Sequence, residues 1–120
     1  MSRLCIMFLT FNRMEYAERC LRAVIENIKW SGELRVHIAD DGSPLGYTEH
    51  LHTIAGGYSR VVSASYSNSA RRGYGCNYNL ATQCTHDYND VILPLEDDWL
   101  LTKELDCDTI VTAFNDERIG

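Results

Sequence analysis

Apolar positions along this chain follow two rhythms. Residues 4–9 form an unbroken apolar run, the pattern of a strand covered on both faces. Met14, Ala17, Leu21, Val24, Ile25 and Ile28 then recur at helical spacing, and Gly32 closes the segment. Asn12, with Glu15 three positions later, predicts a helix start of the capping-box type, with Asn in place of Ser or Thr. Leu34, Val36 and Ile38 alternate with Arg35, His37 and Ala39, which predicts a strand with one drier face. The run Asp40-Asp41-Gly42-Ser43-Pro44 breaks it. A weaker helix is expected from about Tyr47 to Ala55, stopping at Gly56-Gly57. Residues 61–66 read as a third strand, 67–73 as a polar loop and 75–84 as a helix. Residues 91–95 read as a fourth strand, whose end Pro94 takes out of the ladder. A last helix is expected over 105–114.

Strands alternating with helices predict an α/β fold: a Rossmann-like, mainly parallel sheet with flanking helices and right-handed crossovers. A length of 120 residues allows one domain, 1–120, with one real core. Four strands make a small sheet of this kind, and the chain stops at Ile119-Gly120 where another strand would begin. The expectation is therefore a carboxy-terminally incomplete domain, with an unfinished sheet edge that favours pairing into an oligomer.

Composition narrows the function. At 45% hydrophobic and 23% charged residues the chain is not of the disordered class. Lys and Arg total 11 against 17 Asp and Glu, a net charge of -6, which argues against nucleic acid as a partner. An acidic protein binds an anion only through a local cation or a metal. The five cysteines are odd in number and form no CxxC, so a reduced, cytoplasmic protein is expected. No apolar run approaches the roughly 20 residues of a membrane span, and residues 4–9 are too short for a signal-peptide core.

In open parallel sheets ligands bind beyond the carboxyl ends of the strands. The expected ends carry Thr10-Phe11-Asn12-Arg13, Asp40-Asp41-Gly42-Ser43, Asn68 to Gly73, and Glu96-Asp97-Asp98-Trp99. Every polar cluster of note thus falls on one rim. Glu96-Asp97-Asp98 is the sharpest. Two unit charges about 4 Å apart repel by about 4 kcal/mol at an effective dielectric near 20, so such a cluster raises a pKa or recruits a hard cation such as Mg²⁺ or Mn²⁺. It also reads as an acidic turn capping the next helix, and both readings stand. Asp40-Asp41-Gly42-Ser43 is ordinary turn chemistry, or a carboxylate placed to accept from a base N–H or ribose hydroxyls. Arg71-Arg72-Gly73-Tyr74-Gly75 is a solvated hinge, or a helix start that holds a diphosphate. Neither a Walker A loop nor the dinucleotide fingerprint is present. The histidines show no metal-ligand spacing, and surface or half-buried roles are expected for them. The serines and cysteines lack a nucleophile elbow.

Taken in series, these ends resemble the amino-terminal half of a GT-A glycosyltransferase, in particular inverting family 2. The resemblance rests on Leu9 to Arg13, Ile38 to Ser43, Gly73 to Asn79, and Leu95-Glu96-Asp97-Asp98 in place of the family's DxD. It implies binding of a nucleotide-diphosphate sugar, a UDP-sugar being expected, for transfer to an unknown acceptor. Thr10, Phe11 and Asn12 would belong to the nucleotide end, with Phe11 near the base. Asp41, with Asp40, would hydrogen-bond the base. Gly73 would let backbone approach the nucleotide, and Asn79 matches a recurring asparagine. Asp97 would face ribose or sugar. Asp98, supported by Glu96, would bind Mn²⁺ or Mg²⁺. Tyr78 stands where many relatives have arginine, so Arg71 or Arg72 would supply that contact. No residue matches the family's general base; Glu104, Asp106, Asp108, Asp116 and Glu117 remain, none at its position. Two alternatives stay open: a non-catalytic, truncated nucleotide-sugar-binding module that needs a partner, and, with less support, a Mg²⁺-dependent phospho-acceptor domain of the receiver type.

Overall fold

The computed structural model describes residues 2–114. Four strands, β1 (Arg3–Thr10), β3 (Glu33–Asp40), β4 (Val61–Asn68) and β5 (Val91–Glu96), form one sheet in the order β4-β3-β1-β5, with every pairing parallel. Helices α1 (Met14–Asn27), α2 (Tyr47–Gly56) and α3 (Tyr74–Thr85) connect them, and α4 (Cys107–Phe114) follows. The α/β architecture expected from the pattern is thus present.

Strand parity builds two cores. Leu4, Ile6 and Phe8 of β1 and Leu34, Val36 and Ile38 of β3 face α1 and α2, meeting Leu21, Val24, Ile25, Leu51 and Ile54. Met7, Leu9 and Ala39 face the other way and pack with Ala81 of α3. Each fully buried aliphatic or aromatic side chain contributes about 1.5–3 kcal/mol relative to exposure, and β1, buried along nearly its whole length, is the axis of both cores. The edge strand β4 is half exposed. The chain steps from β1 to β3 to β4, then returns to place β5 on the other side of β1. The connections therefore diverge at β1 and β5, where a crevice opens above the sheet.

Local readings needed correction at four places. Pro94 does not take the end of β5 out of the ladder, which runs on against β1 to Glu96 because Pro94 lies on an edge strand. The capping box at Asn12 does not form. Arg13 is the N-cap of α1 without a side-chain cap bond, and Asn12 takes a left-handed φ of 45° while its N–H donates to Ser43 Oγ at 2.8 Å. The Tyr47 hydroxyl serves the helix start instead, accepting the Arg13 N–H at 3.0 Å. His37 is neither superficial nor half-buried but 2% exposed, because its ring is paired to serines across the sheet. The last helix starts at Cys107, since Leu105–Asp106 forms a two-residue strand, β6, parallel to β2 (Ile28–Lys29), a ladder too short to announce itself. Asp106 then caps α4, accepting the Thr109 N–H at 2.9 Å.

Cys5, Cys20 and Cys107 are buried and Cys76 and Cys84 exposed, all as free thiols. Burial pushes the Cys5 thiol up to about 12, so it acts as a small hydrophobe. Among the described residues, no helix is long and apolar enough to cross a membrane.

Candidate functional site

The carboxyl ends of β1, β3 and β5 and the start of α3 enclose a cleft of about 340 Å³. From β1 and its loop come Leu9, Thr10, Phe11 and Arg13; from the end of β3, Asp41. Arg71, Gly73, Tyr74 and Asn77 come from the loop after β4 and the first turns of α3, and Glu96, Asp97 and Asp98 from the end of β5. Of the residues expected at the site, Thr10, Phe11, Asp41, Arg71, Gly73, Glu96, Asp97 and Asp98 meet here. Asn12, Asp40, Arg72 and Asn79 do not line this cleft. Asn12 lies in a neighbouring groove with Arg13 and Asp98. Arg72 and Asn79 are exposed.

Parity separates the two adjacent aspartates. Asp40 keeps the parity of Ile38 and Val36, so it points toward α2 and is fully buried. It accepts bonds from the Ser43 N–H at 3.0 Å, the Ser43 hydroxyl, the Thr48 hydroxyl at 2.8 Å and Asn68 Nδ2 at 3.2 Å. With that capacity spent, Asp40 organises the turn. Asp41 has the parity of Ala39 and faces the cleft. Its Oδ1 accepts the Ser69 hydroxyl at 2.6 Å and the Gly73 N–H at 3.1 Å, which ties α3 to the end of β3. Arg71 places its guanidinium 3.7 Å from the Phe11 ring centroid and Nη1 3.9 Å from Asp41 Oδ2.

The β5 end is organised differently. Asp97 is buried and spends Oδ2 on the Thr10 hydroxyl at 2.9 Å and the Phe11 N–H at 3.2 Å. A carboxylate accepts only, so the Thr10 proton points at Asp97. Thr10 Oγ1 must then accept from the Tyr47 hydroxyl. The relay Tyr47–Thr10–Asp97 thus clamps α2, β1 and β5 together. Burial pushes the Tyr47 phenol up, keeping it a neutral donor. Arg13 Nη1 lies 3.8 Å from Asp97 Oδ1. Glu96 and Asp98 also face the cleft, and desolvation, reinforced by the charge of Glu96, pushes the Tyr74 phenol up.

Among the described residues, no three His, Cys, Asp or Glu side chains converge to hold an ion alone. Mg²⁺-type ions do not require that: they take one or two carboxylates and fill the remaining positions with phosphate oxygens and water. Glu96 and Asp98 fit that donor set, whereas Asp97 is committed to β1.

An open parallel sheet, a crevice where its connections diverge, and a rim carrying an aromatic ring, a carboxylate at one end and an acidic cluster at the other define a nucleotide-binding α/β domain. The chain belongs to the glycosyltransferases of family 2: the profile of "Glycosyl transferase family 2" matches residues 5–119. A comparison with curated proteins gives no match. Membership settles the choice against the receiver-type alternative.

Four cleft residues were given no site role from the sequence: Leu9, Arg13, Tyr74 and Asn77. Asn79 drew attention instead of Asn77. The signal for Asn77 was available, because Asn77, Ala81 and Thr85 form the buried i, i+4 stripe of α3.

Proposed function

We propose that this cleft binds a nucleotide-diphosphate sugar, a UDP-sugar in the first instance, for transfer of the sugar to an acceptor hydroxyl. The observation that carries this reading is the separation of chemistries across the cleft. Asp41 follows β3 and Arg71 stands between it and the Phe11 ring, whereas Glu96 and Asp98 stand at the end of β5. A base stacked on Phe11 would present an N–H to Asp41 Oδ2, leaving the diphosphate to extend toward β5. Asp97 would offer Oδ1 to a ribose or sugar hydroxyl. Asp98 and Glu96 would hold Mn²⁺ or Mg²⁺, which when bound supplies Lewis-acid stabilisation of the departing diphosphate. An inverting transfer also needs a carboxylate to take the acceptor's proton. Asp106 caps α4 and Asp108 accepts from Ser31, so neither is assigned that role. Asp116 and Glu117 lie outside the described residues.

The test is calorimetric titration with UDP, with and without MnCl₂, on the wild type and Asp98→Ala. Manganese is expected to tighten UDP binding at least about tenfold, the equivalent of one charge-assisted contact, and Asp98→Ala to abolish that gain. Equal binding with and without manganese would count against the metal. No binding in either would count against the donor site. Release of UDP from a UDP-sugar then separates a transferase from a module that only binds.

A further inference from the structure

Asn77 stands out among the residues that line the cleft. It is 2% exposed, on the first turns of α3. Its Nδ2 donates to the Ala39 carbonyl at 2.9 Å, which fixes the amide orientation and leaves Oδ1 as the free atom. Oδ1 is buried and has no hydrogen-bond partner among the described residues. Buried acceptors are rarely left unmade, because such a group has lost water and gained nothing. An orphan acceptor in the wall of a ligand cleft is complementary to a donor that the ligand brings.

The topology places this acceptor at one end of the cleft. Asn77 is tied to Ala39, two residues before Asp41, and its helix is tied to Asp41 through the Gly73 N–H. Strand β1 stands between β3 and β5, and neighbouring strands are about 4.8 Å apart, so the acidic cluster ending β5 is about two strand spacings away. Asn77 therefore belongs with Phe11 and Asp41, at the base end of the cleft.

We infer that Asn77 Oδ1 accepts an N–H hydrogen bond from the nucleobase of the bound donor and so determines which base is taken. This rests on the reading of the cleft as a nucleotide-sugar site and goes beyond it by assigning a base-reading atom. Asp41 and Asn77 together offer the base a carboxylate and an amide oxygen, both acceptors, so the edge recognised is one that carries N–H; uracil has a single such proton, on N3, which the two acceptors share as a three-centre bond. Oδ1 has no free surface, so the base reaches it only as the loop before α3 shifts to admit the N–H.

The experiment pairs a change in the protein with a change in the ligand. UDP and N3-methyl-UDP, which lacks the imide proton, are titrated calorimetrically in MnCl₂ against the wild type and Asn77→Leu, and thermal melts check that the variant is folded. The expected result is a loss of UDP affinity of about tenfold in Asn77→Leu, the worth of one buried hydrogen bond. N3-methylation should cost the wild type more than it costs the variant. Equal methylation penalties in the two proteins, or unchanged UDP affinity in a folded Asn77→Leu, would overturn the assignment while leaving the nucleotide site intact. Failure of the wild type to bind UDP, GDP or CDP would instead overturn the site itself, and the assignment with it. Should Asn77→Leu not fold, a crystal structure of the wild type with UDP decides. Oδ1 within hydrogen-bond distance of a base N–H supports the inference; Oδ1 meeting only water or a sugar hydroxyl overturns it.

Discussion

His37 sits in the middle of β3 with Nδ1 2.7 Å from Ser65 Oγ and Nε2 2.9 Å from Ser67 Oγ. A neutral ring satisfies this pairing, with one nitrogen donating, the other accepting, and the hydroxyls rotating to suit. Burial pushes the His37 pKa down from 6.5 to about 4. The native state thus resists a proton that the unfolded chain takes up as pH falls through 6.5. Between these two values the unfolded state binds more protons, so stability rises with pH across that window and is fully present above it. The contribution is of order 1–3 kcal/mol, given 1.36 kcal/mol per unit. Urea denaturation at pH 7 and pH 4.5 should show wild-type stability dropping by about that amount beyond the drop in His37→Gln. Parallel losses in both proteins would show that the histidine is not the titrating group. The alternation of β3 marked His37 as a polar position, but its partners depend on the register that sets His37 against Ser65. Register is long-range information that no local pattern carries.

At the level of elements, the site depends on how the turn after β3 meets the loop before α3. Gly42 has φ +92°, and a Cβ there would lie 2.5 Å from the Arg71 backbone nitrogen. Ala70 and Arg71 are themselves left-handed, at φ 55° and 61°. This close approach lets Arg71 stand over Phe11 and brings the Gly73 N–H to Asp41. Gly46 is the natural control, with φ +91° but nothing within 4 Å of the point a Cβ would occupy. Gly46→Ala should cost about 1–2 kcal/mol, the left-handed penalty alone. Gly42→Ala should cost more, because the turn or the loop must also shift, and it should weaken UDP binding as well. Thermal melts and UDP titration of both variants check this; equal effects would mean that the Arg71 approach is unimportant. Much of this rim was legible, since Asp-Asp-Gly-Ser announces a turn and Asp41 a cleft-facing carboxylate. The division of labour between Asp40 and Asp41 follows from parity with Ile38 and Ala39, which pattern reading can supply once the strand is known to run through Asp40. What it could not supply was Asn12's left-handed backbone, whose N–H is held by Ser43, 31 residues on, while the next N–H, of Arg13, is held by Tyr47, 34 residues from it.

For the whole molecule the governing quantity is charge. The formal net charge is -6, and the cleft repeats the imbalance, with Asp41, Glu96, Asp97 and Asp98 against Arg13 and Arg71. Both arginines already lie beside carboxylates, Arg13 by Asp97 and Arg71 by Asp41. The nucleotide diphosphate proposed as ligand would therefore approach a surface of its own sign. Such repulsion acts over about 30 Å at 0.01 M salt but only about 10 Å at 0.1 M. Without a divalent ion, raising NaCl from 0.01 to 0.1 M should therefore tighten UDP binding by screening the repulsion. With MnCl₂ present, the proposed ion would attract the phosphates more strongly than the carboxylates repel them, and the same increase in salt should weaken binding. The two slopes, measured by titration calorimetry, should have opposite signs. If UDP binding in EDTA instead weakened as salt was added, Arg13 and Arg71 would outweigh the four carboxylates, and the cleft would hold a diphosphate by its own cations.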